Sequence, residues 1–135
     1  MGMEVLPLDG RVLGTLAQRL RQGALVALVA DRDLSRSGID VEFFKGIARM
    51  PAGPALLALK TQAPLITAFV SYTENGIHID FKNVVLPSAG EESAKVREIV
   101  QMTAQHFEDG ISQTPQDWHM LQRIWVDGDF QERSA

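Results

Sequence analysis

The chain has 135 residues, 45% apolar and 22% charged, with 13 Lys and Arg against 17 Asp and Glu for a net charge of −4. That balance suits one globular domain with a buried core and excludes a disordered or collagen-like chain. The basic residues are scattered, so nucleic acid is not an expected partner, and the absence of cysteine excludes disulfides, thiolate catalysis and zinc–thiolate sites.

A single domain is expected over residues 1–135, with 128–135 as a frayed tail. The longest apolar run, residues 24–30, falls far short of the ~20 residues that a spanning helix needs. No basic segment precedes an apolar one at the N-terminus, so no signal peptide is expected. The sequence describes a fold that at most rests on a membrane surface.

Residues 4–8 (EVLPL) predict a short strand, broken by Gly10. Val12, Leu13, Leu16, Ala17 and Leu20 then recur at helical spacing, and Gly23 stands where a helix-ending glycine belongs. Residues 24–30 (ALVALVA) predict a strand covered on both faces. Strand, helix and strand in this order predict a mixed, mainly parallel α/β sheet flanked by helices. Since the chain opens on a strand with nothing before it to pair with, that sheet is expected to be incomplete N-terminally.

A charged loop follows at 31–38 (DRDLSRSG), then a short strand or extended lip at 39–44. Pro51 and Pro54 open a helix from about residue 52 to 61, apolar nearly all round and therefore expected to be buried. Residues 64–72 predict a buried strand. Asn75-Gly76 predicts a hairpin turn, and Ile77, Ile79 and Phe81 alternate with His78, Asp80 and Lys82 as in a strand covered on one face. After a turn at 87–90, residues 91–111 carry Val96, Ile99, Val100, Thr103, Phe107 and Ile111 along one stripe of a long amphipathic helix. A last short helix is expected at 115–125.

The most conspicuous polar cluster is Asp31, Arg32 and Asp33 with Arg36, placed after a predicted buried strand, where α/β sheets hold their ligands. Forked arginines on such a loop suit phosphate. A solvated loop with Asp31 and Asp33 paired to Arg32 and Arg36 is the plainer alternative. Residues 48–53 (ARMPAG) lead into a helix N-terminus, making Arg49 and Gly53 candidates for the same anion; an ordinary loop-to-helix junction is the alternative.

No metal site is expected, because the three histidines lack ligand spacing. His78 is expected on an exposed strand face, His106 on the polar side of the long helix and His119 in a packed position. No Gly-x-Gly-x-x-Gly or phosphate-loop pattern supports a nucleotide site. Trp118 and Trp125 suit either a membrane interface or a cap over the core. From spacing alone the chain is an α/β domain with a possible anion-binding loop.

Residues 25–54, with VALVADRDLSRSGIDVEFF followed by ARMPAGP, resemble the phosphatidylinositol mannoside acyltransferases and the lipid A biosynthesis lauroyl and myristoyl acyltransferases. Residues 56–69 (LLALKTQAPLITAF) resemble the family's apolar helix and Thr-Gly-Ala-Pro strand start, with Gln62 where glycine is usual. Residues 114–125 (TPQDWHMLQRIW) resemble its closing Pro-x-x-Trp-x-x-x-x-Arg signature, in which His119 and Arg123 would have structural roles. The ordered motifs cover nearly the whole chain and resemble the C-terminal half of the family.

The resemblance implies a glycerolipid acyltransferase-like fold and acyl transfer from acyl-CoA, a co-substrate rather than a cofactor, to a sugar hydroxyl of a membrane glycolipid. It implies a peripheral position on the cytoplasmic face of the cell membrane. Asp31, Arg32, Asp33, Arg36, Arg49 and Gly53 would bind substrate. A His-x-x-x-x-Asp pair would supply the general base and its orienting carboxylate.

That pair is absent: the fifth residue on is Asn83 after His78, Ile111 after His106 and Ile124 after His119. In full-length relatives it lies upstream. The family's Phe-Phe-Gly-Glu is also replaced by Phe43-Phe44-Lys45-Gly46. No catalytic residue is therefore assigned, and the chain alone is expected to be inactive. It would be half of a split enzyme, with an N-terminal half or a second copy as protein partner, or a non-enzymatic remnant that binds lipid or acyl-CoA.

Overall fold

The structure, a computed structural model, describes residues 2–7, 11–33 and 37–126. Arg36, Gly10 and the predicted tail at 128–135 lie outside the described residues. The element order is α1 (Val12–Arg21), β1 (Ile39–Phe43), β2 (Gly46–Met50), α2 (Gly53–Thr61), β3 (Leu65–Thr73), β4 (Gly76–Val84) and α3 (Glu92–Gln113), followed by a single 3-10 turn at Pro115–Asp117.

α3 organises the core. Its stripe of Val96, Ile99, Val100, Thr103, Ala104 and Ile111 is buried, as the helical spacing requires, and it packs on β1, β3 and β4. Phe43, Met50, Val84 and Ile99 are the largest fully buried side chains. Gln101 also docks on the edge of β1. Its amide donates to the Glu42 carbonyl at 2.9 Å, and its side-chain oxygen accepts from the Glu42 N–H at 2.8 Å. That exchange satisfies backbone groups that an edge strand would otherwise leave to water.

α2 is short and apolar, with Ala55, Leu57 and Ala58 buried, and its proline stands in the first turn where no amide donor is needed. It stops at Gln62, which adopts a left-handed conformation (φ 58°) and donates its N–H to the Ala58 carbonyl at 2.8 Å. A left-handed helix-ending position favours glycine, so Gln62 is held there at a conformational cost.

Among the described residues the expected mixed, mainly parallel sheet is not formed. The strands make two antiparallel pairs, β1–β2 and β3–β4. β1 and β2 join through a tight turn at Phe44 (φ 48°) and Lys45 (φ 63°), and the predicted lip at 39–44 is the first strand of this ribbon. The expected helix at 115–125 is helical only over Pro115–Asp117. Its end runs along β2 instead, where the Ile47 carbonyl accepts from Val126 N–H at 2.7 Å and Ala48 bridges Trp125. The open edge of β2 offers partners that a short isolated helix lacks.

The runs at 4–7 and 24–30 are not strands. Leu25 is 96% exposed and Val29 78%. A doubly covered strand needs neighbours on both edges and both faces, and among the described residues no segment supplies them. The first run is tied only loosely, through an exposed Glu4–Arg19 ion pair at 2.9 Å.

The β3–β4 hairpin reverses a further expectation. Its turn residues are Glu74 and Asn75, with Gly76 opening β4 opposite Thr73. In that register Ile77, Ile79 and Phe81 share the outer face with Tyr72, Val70 and Ala68, and all six are exposed. The other face, with Leu65, Phe69 and Val84 packed into the core and Thr67, Asp80 and Lys82 between them, lies against α3. β3 is thus covered on one face only.

Candidate functional site

Three segments converge around the start of the β1–β2 ribbon. The first is the stretch Asp31–Asp33 at the end of the exposed apolar run, where all three residues are half-buried. Trp118 Nε1 donates to Asp31 Oδ2 at 3.1 Å, and the same indole lies edge-on to Phe43 with centroids 6.0 Å apart. Asp31 is thereby fixed to the segment after α3 rather than left as a solvated loop residue.

The second segment is Gly38–Asp40 and the third is Arg49 on β2. A β-carbon at Gly38 would fall on the Asp33 carboxylate and 2.6 Å from Arg49 Cγ, so the backbone must pass here without a side chain. Arg49 faces Asp40 across the ribbon, in register, and grips it with a fork: Nε to Oδ1 at 2.8 Å and Nη2 to Oδ2 at 3.5 Å. Asp40 is half exposed, so this pair contributes only about 0.2–1 kcal/mol, mainly by fixing the orientation of Arg49.

The predicted residues therefore separate. Asp31, Asp33 and Arg49 are drawn into one neighbourhood with Asp40 and Trp118, while Arg32 lies half-buried beside Asp31 with no ion pair among the described residues. Arg36 is outside the described residues. Gly53 opens α2, and among the described residues a β-carbon added there would meet Leu13 of α1 at 3.6 Å, so it belongs to the packing of α1 on α2. Among the described residues the neighbourhood holds three carboxylates (Asp31, Asp33, Asp40) against two guanidiniums (Arg32, Arg49). That mixture of acceptors and forked donors matches hydroxyl groups better than it matches a bare phosphate.

Sequence spacing missed Asp40 and Gly38. The signal was present, because Ile39, Val41 and Phe43 point inward and alternation therefore puts Asp40 and Glu42 outward. It also missed a groove of about 400 Å³ beside the Phe44–Lys45 turn, lined among others by Glu42, Lys45, Gln105 and Glu108. The Glu108 carboxylate accepts from Phe44 N–H at 3.0 Å and holds the turn. Gly46 closes it under Trp125, whose Cδ1 would lie 2.5 Å from a β-carbon there and whose Nε1 donates to the Phe43 carbonyl at 2.9 Å. The two tryptophans cap the core around Phe43.

The histidines do not join this neighbourhood. His78 and His119 are exposed, the latter contrary to the packed position expected of it. His106 turns toward the hairpin rather than to solvent, with Nδ1 2.9 Å from Thr67 Oγ1. Burial lowers its pKa from the usual 6.5, reinforced by Lys82 and opposed by Asp109 and Asp80. Among the described residues no His, Asp and Glu cluster could hold a metal, and no helix is long and apolar enough to cross a membrane.

The family model described as bacterial lipid A biosynthesis acyltransferase matches residues 1–127. The chain belongs to that family. It is 40% identical over 138 residues to the phosphatidylinositol mannoside acyltransferase of Mycolicibacterium smegmatis, an alignment covering 100% of this chain and 44% of the relative. The enzyme of the same name from Mycobacterium tuberculosis is 40% identical over 129 residues, covering 93% of this chain and 40% of the relative. The chain thus spans less than half the length of the acyltransferases it matches.

Proposed function

We propose that this chain is the acceptor-binding part of a glycolipid acyltransferase and does not itself supply the catalytic base. The reaction is transfer of an acyl group from acyl-CoA to a hydroxyl of a phosphatidylinositol mannoside or lipid A-like acceptor, at the cytoplasmic face of the cell membrane. The observation that carries the reading is the match across residues 1–127 in a chain where no histidine is followed five residues on by aspartate.

On this reading Asp31, Arg32, Asp33, Asp40 and Arg49 bind the sugar of the acceptor, and Arg36 extends the same loop. Arg49 donates to a hydroxyl from a fork already oriented by Asp40, so little side-chain freedom is lost on binding. The general base that deprotonates the hydroxyl comes from a histidine outside this chain, in the upstream His-x-x-x-x-Asp of the family.

Binding of a phosphatidylinositol mannoside in detergent micelles, followed by fluorescence of Trp118 and Trp125, tests the site. Arg49→Leu is expected to weaken binding about tenfold, the loss of one charge-assisted hydrogen-bonding fork. Equal binding by wild type and Arg49→Leu would remove this neighbourhood from the acceptor site.

A further inference from the structure

We infer that the outer face of the β3–β4 hairpin and the exposed apolar run at 24–29 form the docking surface for the polypeptide that makes up the rest of a family acyltransferase. That polypeptide is the portion of the relatives that this chain does not match, whether joined covalently or supplied separately. The inference rests on the acyltransferase reading and adds its protein partner.

The hairpin is apolar on the face that nothing covers among the described residues as well as on the face that meets α3. Ile66, Val70, Tyr72, Ile77, Ile79 and Phe81 are exposed, while Leu65, Phe69 and Val84 pack into the core with Thr67 and Lys82 between them. That packing and two polar contacts to α3 fix which face is inner, so the outer apolar set is left uncovered. Lys82 reaches Asp109 at 3.2 Å, and Thr67 meets His106. Such a contiguous apolar sheet face marks a surface that is covered in use.

The backbone selects the kind of cover. β3 and β4 pair only with each other among the described residues, so each keeps a free edge, apart from Tyr72 N–H, which donates to Asp117 Oδ2 at 2.9 Å. Unpaired strand edges are costly in hydrocarbon and are satisfied by another strand. An anionic lipid surface would also call for flanking cations. Lys82 is the only Lys or Arg between Leu65 and Val84, and it faces Asp109.

A second copy is a poor cover, because it brings its own uncovered run at 24–29. The relatives carry more than half their length beyond what this chain matches, enough to supply both strands and a covering layer.

The test is a chimera in which this chain replaces the matched segment of the Mycolicibacterium smegmatis enzyme, compared with the chain alone by hydrogen–deuterium exchange. Amides of residues 24–29 and 65–84 are expected to exchange at least about tenfold more slowly in the chimera. Ile79→Lys or Phe81→Glu should reverse that protection, and Arg97→Glu on the exposed side of α3 should leave it intact.

Unchanged exchange overturns the inference, as does an insoluble chimera beside a soluble intact relative. Protection appearing in the chain alone as its concentration rises overturns it in favour of a second copy. Protection of the chain alone by phosphatidylglycerol vesicles overturns it in favour of a membrane. A protected chimera without acyl transfer leaves the interface standing and removes the proposed activity. An active but unprotected chimera does the reverse.

Discussion

Phe43 and Phe81 both occupy alternating positions on antiparallel strands, yet the first is fully buried and the second is 65% exposed. Phe43 lies on a ribbon whose apolar face meets α3 and whose rim is closed by Trp118 and Trp125. Phe81 lies on the outer face of a hairpin whose inner face, with Phe69 and Val84, meets the core, and that outer face is exposed. Alternation decides which side chains share a face. What covers that face depends on elements elsewhere in the chain or beyond it.

The comparison breaks most visibly at Phe43. Phe43→Ala is expected to cost about 3–5 kcal/mol, because it opens a cavity at the centre of the aromatic cluster. Urea unfolding with a much lower midpoint and an unchanged slope would record it.

Gln62→Gly should act in the opposite direction. It removes a left-handed non-glycine at the end of α2 and is expected to add about 0.5–1 kcal/mol, the loss of the Gln62 amide bond to the Leu59 carbonyl offsetting part of the gain. A rise in melting temperature checks it.

His106 probes the inner face of the hairpin. Its folded pKa lies below 6.5, so on acidification the unfolded chain takes up this proton first. The stabilising contribution is complete above about pH 6.5 and is lost as pH falls through the lowered folded value. Asp109, lowered first by its hydrogen bond from Gln105 and then by Lys82, adds its own loss below 3.8. His106→Gln should therefore flatten the fall in melting temperature between pH 7.5 and 5.

Phe81→Ala should be the smallest effect, within about 0.5 kcal/mol for the chain alone. A cost of several kcal/mol there would show that the outer face is already covered.

Much of the local structure was legible. α3, α2 and the hairpin follow from periodicity, a first-turn proline and a turn signal, all of which act over a few residues. The sheet was not legible, because the direction of pairing depends on distant partners. Residues 24–30 have the composition of a buried strand and, without strand neighbours among the described residues, have no means of becoming one.

The candidate site divides along the same line. Asp31, Asp33 and Arg49 were readable as charges beside a predicted crevice. Asp40, the partner that orients Arg49, needed the antiparallel register to be seen. Gly53, singled out because it opens a helix, belongs to the packing of α1 on α2.

The most direct measurement is acyl transfer from radiolabelled acyl-CoA to a phosphatidylinositol mannoside, comparing the chain alone with the chimera that restores the rest of the relative. The chain alone is expected to remain at background while the chimera turns over, with Arg49→Leu raising the acceptor KM about tenfold. Transfer well above background by the chain alone would contradict the claim that it binds the acceptor without carrying the base.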